Sequence, residues 1–256
     1  MDGMGQVLIE KSSGLGVITL SRPAKLNALS PSMRAAFGDG LAAMARDDDI
    51  KIVLLRGEGS DFCVGADLLD APETALAWRE RIQVAQAHHL AMIRMNKPTI
   101  AAVQGRALGG GASLALAADL LVMADDASLV FPFVRLGLVP DGGVSMLLQA
   151  KAGAAIALDV LLNGGSLTAE EARRIGLTRR VVPSSQLDAA SRALAASLLT
   201  LPWEALMLTK ALCAQHWAAG FEHVLAHESE AFALATTTAG HRNAIQAMRG
   251  ALKRKD

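Results

Sequence analysis

The chain of 256 residues has 25 basic and 25 acidic side chains, and 52% of its residues are hydrophobic. This composition is typical of a globular protein with a sizeable core, and the balanced charge gives no indication of a nucleic-acid partner. Two distant cysteines, Cys63 and Cys213, exclude a disulfide scaffold. With no basic-then-apolar start and no long apolar run, we expect no signal peptide, no membrane span and a cytoplasmic location.

Strand and helix patterns alternate through the first two thirds of the chain. Short apolar segments predict strands at 7–9, 16–20, 52–55, 98–103, 120–123 and 129–131. Helical apolar spacing predicts helices at 31–46, 73–94, 143–149 and 155–161, and a further helix after the glycines at 109–111. Ser30 and Pro31 are typical of the N-cap and first position of a helix. This alternation favours an α/β fold.

From Thr168 onward the pattern is mostly helical. Thr168 and Glu171 have the spacing of a capping box, which predicts a helix start there. After a short strand predicted at 179–182, helical patterns continue from about residue 185 to the end. We therefore expect a core at residues 1–200 and a C-terminal helical region at residues 201–256.

Two glycine-bearing segments have the composition of a binding site. DFCVGADL occupies 61–68, and GRALGGGAS occupies 105–113 just before a predicted helix. Glycine lets the backbone approach a ligand closely, and the first amides of a helix are unpaired donors at its positive end. Such donors suit an oxygen that becomes negative. Either segment alone is also explained by a tight turn, and the second lacks the residues of a P-loop.

Together the two segments resemble those of the crotonase (enoyl-CoA hydratase/isomerase) family. Further matches occur in order along nearly the whole chain, at 22–29 (RPAKLNAL), 97–105 (KPTIAAVQG), 136–143 (LGLVPDGG), 168–177 and 181–183. The resemblance implies a spiral of repeated ββα units followed by a helical trimerisation region. It also implies a homotrimer or a dimer of trimers.

The resemblance further implies an acyl-CoA thioester as substrate, with no separate cofactor, and from the residues themselves we expect no metal. The backbone N–H groups of Ala66 and Gly110 would be the two donors to the enolate oxygen. The implied substrate-binding residues are Ala24, Lys25, Leu26, Val64, Gly65, Asp67, Leu68, Gly109 and Phe133. Lys25 is a candidate phosphate contact, although an exposed, solvated lysine explains it equally well. Asp67 is expected to shape its own loop.

The residues expected for hydration are missing. Hydratases of the family resemble one another in using two glutamates, and the matching positions here are Ser113 and Phe133. A serine without a base is a weak acid and a weak base, and phenylalanine has no proton to transfer. We expect Ser113 to bond back to a helix carbonyl and Phe133 to wall the acyl pocket. Efficient hydration is therefore not expected.

Asp141 matches the aspartate of isomerase-type relatives. One carboxylate can move a proton between two carbons of an allylic system, and burial would raise its pKa and favour this role. The sequence Pro-Asp-Gly-Gly is equally typical of a turn and helix N-cap, in which the pKa would be lowered. The favoured function is an enoyl-CoA isomerase. The alternatives are a hydratase or acyl-CoA hydrolase, and a catalytically idle CoA-thioester binder.

The histidines are weaker candidates for catalytic residues than Asp141. His88 and His89 lie on the predicted long helix, and we expect a solvated pair. Dehalogenase relatives carry a histidine on that helix, and Gln86 stands at the nearest matching position here. His223, His227 and His241 have no Cys or carboxylate to complete a metal set.

Overall fold

The structure, a computed structural model, describes residues 5–67 and 71–252, without the side chains at 215–219, 249, 251 and 252. Its strands are β1 (Gln6–Ser12), β2 (Leu15–Ser21), β3 (Ile52–Gly57), β4 (Thr99–Val103), β5 (Arg106–Leu108), β6 (Leu120–Ala124), β7 (Ser128–Val130), β8 (Ser166–Thr168) and β9 (Val181–Val182). Its helices are α1 (Pro31–Arg46), α2 (Ala75–Arg94), α3 (Gly110–Ala117), α4 (Val144–Ala152), α5 (Ala154–Asn163), α6 (Ala169–Arg174), α7 (Leu187–Leu199), α8 (Trp203–Thr236) and α9 (Ala239–Leu252).

Local signals determine where several helices begin. Ser30 caps α1 by accepting a hydrogen bond from the Met33 amide, and Pro31 occupies the first helical position. At α6, the Thr168 hydroxyl accepts from the Glu171 amide, and the Glu171 carboxylate accepts from the Thr168 amide. The sequence prediction of a capping box is confirmed.

The larger sheet forms the buried base of the molecule. Its strand order is β1-β2-β3-β4-β6-β9, in which only β1 and β2 pair antiparallel. Strand β4 is buried along its whole length, as expected for a parallel strand covered on both faces.

The smaller sheet, in the order β5-β7-β8, makes the fold a spiral. Isolated bridges Leu29–Ala66 and Cys63–Ala107 extend it toward the N-terminus. Each turn of the spiral therefore adds one strand to the larger sheet, a short extended segment to the smaller one, and then a helix. The loop after β3 and the glycines at the start of α3 consequently lie side by side. The predicted spiral of ββα units is confirmed.

Three elements differ from the sequence prediction. Strands β5 and β8 were not predicted, and the strand expected at 179–182 contains only Val181–Val182. Segments of two or three residues are too short to show alternation, so their pairing depends on the neighbouring strand rather than on their own sequence.

The C-terminal helices cover the spiral on one side. Helix α7 packs on β3, β4 and β6, and α8 packs along α2. Buried Lys210 of α8 donates to the Lys97 carbonyl (2.9 Å) and pairs with Asp119 (2.8 Å). No helix in the described ranges is long and apolar enough to cross a membrane. The oligomerisation role of residues 201–256 remains a prediction.

Candidate active site

The two glycine-bearing loops lie against each other because backbone hydrogen bonds join successive turns of the spiral. The Leu29 amide donates to the Gly65 carbonyl (2.8 Å), and the Leu108 amide donates to the Cys63 carbonyl (2.9 Å). The segment after β3 is thus held between the turn before α1 and strand β5.

Glycine is required where these loops meet. Gly65 has a φ of +83°, and a Cβ there would lie 2.8 Å from the Leu108 oxygen and 3.1 Å from the Gly110 nitrogen. A side chain on Gly111 would overlap the Cys63 carbonyl. The two loops are therefore in direct contact, and Ala66 and Gly110 lie next to this contact. Neither the Ala66 amide nor the Gly110 amide donates a hydrogen bond to another backbone group in the described ranges.

A cavity of about 90 Å³ opens beside these amides. Most of its surface is apolar, and its walls come from α2, the loop after β7 and α8. Residues from both loops and Asp141 line it. The other lining residues include Leu29, Trp78, Ile82, Leu114, Phe133, Leu136, Leu138 and Phe232. The predicted wall position of Phe133 agrees with this lining, as do Val64, Gly65 and Gly109.

Asp141 lines the cavity and has one carboxylate oxygen without a hydrogen bond in the described ranges. Its buried Oδ1 atom has no hydrogen-bond partner among the described residues. Burial raises the pKa of Asp141 to about 7, and the positive charge of Arg81 acts in the opposite direction. Its carbonyl accepts a hydrogen bond from the Ser113 hydroxyl (2.8 Å). Ser113 also bonds back to the Gly109 carbonyl (3.3 Å), as predicted.

The alternative role of Asp141 as a helix cap is wrong. Helix α4 begins at Val144, and its N-cap residue is Gly143, which has no side chain to accept a hydrogen bond. The pKa of Asp141 is raised, whereas a capping carboxylate would have a lowered pKa. Two glycines with positive φ, Gly142 and Gly143, separate the Asp141 side chain from the helix start.

Glu228 of α8 supplies the carboxylate at the start of α4. Its Oε2 accepts from the Gly143 amide (2.7 Å), and its Oε1 accepts from the Ser145 amide (3.3 Å) and hydroxyl (2.5 Å). Burial raises the pKa of Glu228 to about 7, and the charge of Asp141 adds to this effect. Sequence reasoning missed Glu228, because 83 residues separate it from Ser145 and no local motif marks it.

The prediction of a solvated histidine pair is wrong. His88 and His89 are buried and line the cavity, and burial lowers the pKa of each to about 4. The His89 Nδ1 lies 2.8 Å from the Ala85 carbonyl, so Nδ1 carries the proton and Nε2 offers a lone pair. That buried Nε2 has no hydrogen-bond partner among the described residues. The spacing of Trp78, Ile82, Ala85 and His89 along one helical face was the available signal.

The remaining predicted binding residues lie outside the cavity lining. Ala24 and Lys25 are exposed on a short 3-10 turn, and the Leu26 carbonyl accepts a hydrogen bond from the Val64 amide (3.1 Å). Asp67 pairs with Arg22 at 2.7 Å, which fits its expected effect on the loop. Leu68 lies outside the described residues.

Two other predictions concern groups away from the cavity wall. Gln86 is buried, and its amide donates to the Leu225 carbonyl of α8 (2.8 Å).

Within the described ranges, no cluster of three or more His, Cys, Asp or Glu side chains is arranged to hold a metal ion.

The sheet order, the spiral and the paired glycine loops define a crotonase-type fold, and comparison with known proteins identifies the family. The family model described as enoyl-CoA hydratase/isomerase matches residues 10–253. The chain therefore belongs to the enoyl-CoA hydratase/isomerase family, which confirms the resemblance seen in the sequence.

Relatives within this family carry different activities in their names. The 1,2-epoxyphenylacetyl-CoA isomerase of Escherichia coli is 37% identical over 80% of this chain and 80% of its own length. The 2,3-dehydroadipyl-CoA hydratase of the same organism is 31% identical over 95% of each chain. The crystal structure of an enoyl-CoA hydratase from Mycobacterium avium subsp. paratuberculosis has a TM-score of 0.87 and 28% identity, covering 94% of this chain and 97% of its own.

Proposed function

We propose that this protein is an enoyl-CoA isomerase that shifts a double bond in an acyl-CoA thioester. The observation that supports this most directly is the unpartnered carboxyl group of Asp141 in an apolar cavity. The same cavity is lined by Ala66 and Gly110, whose amides are not used elsewhere in the described backbone.

In this mechanism the thioester oxygen lies between the amides of Ala66 and Gly110. Hydrogen bonds from both amides stabilise the negative charge that develops on that oxygen, and they thereby make the α-proton more acidic. Ionised Asp141 removes the proton from the α-carbon of a β,γ-unsaturated thioester to form a dienolate. Protonated Asp141 then returns the proton at the γ-carbon. The double bond moves to the α,β position, and no cofactor or metal is consumed.

The environment of Asp141 suits both proton transfers. A carboxyl group with a pKa near 7 is ionised often enough to accept a proton and is acidic enough to return it. The apolar walls, including Phe133 and Leu138, keep bulk water from competing for the dienolate.

Binding of the CoA part is proposed at the surface next to the loops. The Leu26 carbonyl accepts a hydrogen bond from the Val64 amide, which joins the turn containing Ala24 and Lys25 to the first glycine-bearing loop. Lys25 is exposed on this turn, and its ammonium group would meet a phosphate of CoA. Asp67, which pairs with Arg22, would continue this surface beyond Ala66.

We also propose a homotrimer or dimer of trimers in the cytoplasm. Helix α8 exposes Leu208, Leu212 and Leu234, each with more than half of its surface accessible. Leu208 and Leu212 are four residues apart and lie on one face of the helix, so a second subunit covering that face would bury both.

Replacing Asp141 by Asn tests the isomerase mechanism. We expect Asp141→Asn to lower kcat for a β,γ-enoyl-CoA by about 10²- to 10⁴-fold, because the amide cannot carry the proton. The matched control is Asp126→Asn on the exposed turn between β6 and β7, which should leave kcat unchanged. An Asp141→Asn variant with the unaltered isomerisation rate would reject the mechanism.

The lone pair of His89 Nε2 favours a second candidate, a hydratase or acyl-CoA hydrolase. Neutral His89 could accept a proton from water while protonated Asp141 delivers one to the α-carbon, which supplies the two groups that the missing glutamates would provide. Hydration of crotonyl-CoA at a rate above isomerisation, lost in His89→Gln, would support this candidate. Tight binding of acyl-CoA without turnover of either kind would instead indicate an idle homologue.

A further inference from the structure

The start of α4 lacks a capping side chain of its own. Its N-cap is Gly143, so the amides of Gly143 and Ser145 would remain unpaired if only local residues were available. Asp141 stands two residues before Gly143, which is the spacing at which an aspartate side chain accepts a hydrogen bond in an Asx turn. The expected local partner for the Gly143 amide is therefore Asp141 itself.

The structure gives that hydrogen bond to a different carboxylate. Both oxygens of Glu228, which comes from α8, accept hydrogen bonds from Gly143 and Ser145. Glu228 is buried, with 7% of its surface accessible, and the Gly143 backbone to which it bonds packs closely against the Phe221 ring of the same helix. A methyl group on Gly143 would overlap that ring.

The consequence for Asp141 is that its side chain has no capping partner and faces the cavity. Its Oδ1 remains without a hydrogen bond, while the Ser113 hydroxyl holds its carbonyl at 2.8 Å. The charged and titratable groups around it are Arg81, His88 and His89 of α2, Arg34 of α1 and Glu228 of α8. Arg81 favours the ionised form of Asp141, and the charge of Asp141 raises the pKa of Glu228, so the two carboxyl groups oppose each other's ionisation.

We propose that Glu228 is a positioning residue that occupies the N-terminus of α4 and thereby keeps the Asp141 carboxyl group free for proton transfer. Glu228 need not touch the substrate. It acts by occupying the amides that would otherwise attract Asp141, and by adding negative charge beside it. The catalytic part of this inference rests on the proposed isomerase function, whereas the electrostatic part concerns the protein alone.

The first test is the pH dependence of isomerisation in Glu228→Gln. A glutamine keeps the size of the side chain, but it has only one accepting oxygen and no charge. Asp141 should then turn toward the Gly143 amide, which lowers its pKa and withdraws it from the substrate. We expect kcat to fall roughly 10- to 100-fold while KM changes little, and the acid limb of the pH profile to move down by about one unit.

The control is Glu230→Gln, on the same helix but exposed and paired with Arg79. It should leave kcat and the pH profile unchanged. A drop in kcat of Glu228→Gln that is equal at every pH, with the acid limb in place, would overturn the proposal, because a purely structural role gives that pattern.

The second test does not depend on turnover. Asp141→Asn is made in the wild-type and in the Glu228→Gln background, and melting temperatures are compared from about pH 5 to pH 8. If Glu228 raises the pKa of Asp141, the pH-dependent gain from Asp141→Asn will be smaller in the Glu228→Gln background. An equal gain in both backgrounds would overturn the proposal, even if the wild-type protein catalyses no isomerisation.

Discussion

The cavity has two halves, one built from main-chain groups and the other from side chains. The half that contains Ala66 and Gly110 consists of main-chain amides, held by hydrogen bonds between successive turns of the spiral. The half that contains Asp141 consists of side chains on α2, the turn before α4 and α8. In the proposed mechanism the first half polarises a carbonyl group, whereas the second determines where protons go.

This difference explains how one family holds hydratases and isomerases on one fold. Every residue supplies a main-chain amide, so the polarising half depends on the glycines that let the two loops approach and not on the chemistry of a side chain. Proton transfer depends on single side chains and on their pKa values. In this chain Ser113 and Phe133 leave Asp141 as the carboxyl group at the cavity wall, while Glu228 and His89 alter its surroundings.

The largest effect is expected where the main-chain half would be forced apart. Gly65→Ala places a methyl group 2.8 Å from the Leu108 oxygen at a positive φ, so the two loops must separate. We expect kcat/KM to fall by about 10²- to 10³-fold, comparable to losing one oxyanion donor.

Gly110→Ala is the matched control in the facing loop. Its methyl group would meet only the Gly65 Cα at 3.9 Å, an ordinary contact, and its φ is not positive. The melting temperature of Gly110→Ala should therefore remain close to that of the wild type. Full activity in Gly65→Ala would show that the spacing of the two loops is not critical.

In the side-chain half, the raised pKa of Asp141 should make the free energy of unfolding depend on pH. The pKa of Asp141 rises from an ordinary 3.8 to about 7 on folding, so between these values the folded state binds more protons than the unfolded state. The free energy of unfolding therefore falls as pH rises through this window. Asp141→Asn removes this loss, and we expect a gain on the order of 4 kcal/mol at about pH 8.

Denaturant unfolding at several pH values measures this effect. Near pH 4 the Asp141→Asn variant and the wild type should differ least, and their difference should grow until about pH 8. A constant difference would mean that Asp141 has an ordinary pKa in the folded protein, and the proposed proton shuttle would lose its electrostatic basis.

A smaller effect is expected from the hydroxyl group that joins the two halves. Ser113→Ala removes the hydrogen bonds from Ser113 to the carbonyls of Asp141 and Gly109. We expect a loss of about 1 kcal/mol in the free energy of unfolding and a modest drop in kcat.

Ser191→Ala is the matched control, because the buried Ser191 hydroxyl has no partner among the described residues. Its removal should be neutral or slightly stabilising, since no hydrogen bond is lost. If Ser113→Ala were equally neutral, the contact between α3 and the Asp141 turn would not contribute to positioning.

The sequence by itself determined the alternation of strands and helices, the two glycine loops and the position of Asp141. These features depend on local signals: apolar periodicity, the Ser30 and Thr168 caps, and glycines at φ values that other residues avoid. Family resemblance then placed Ala66 and Gly110 in neighbouring turns of the spiral, which the contact of Gly65 with Gly110 supports.

Only the tertiary structure decided how Asp141 is surrounded. Its role as a cap was left open by the sequence, because the capping carboxylate comes from Glu228 on a distant helix. The burial of His88 and His89 likewise depends on the packing of α2 against α8. Protonation depends on burial and on charges brought close by folding, and neither is encoded within the few residues that flank a titratable group.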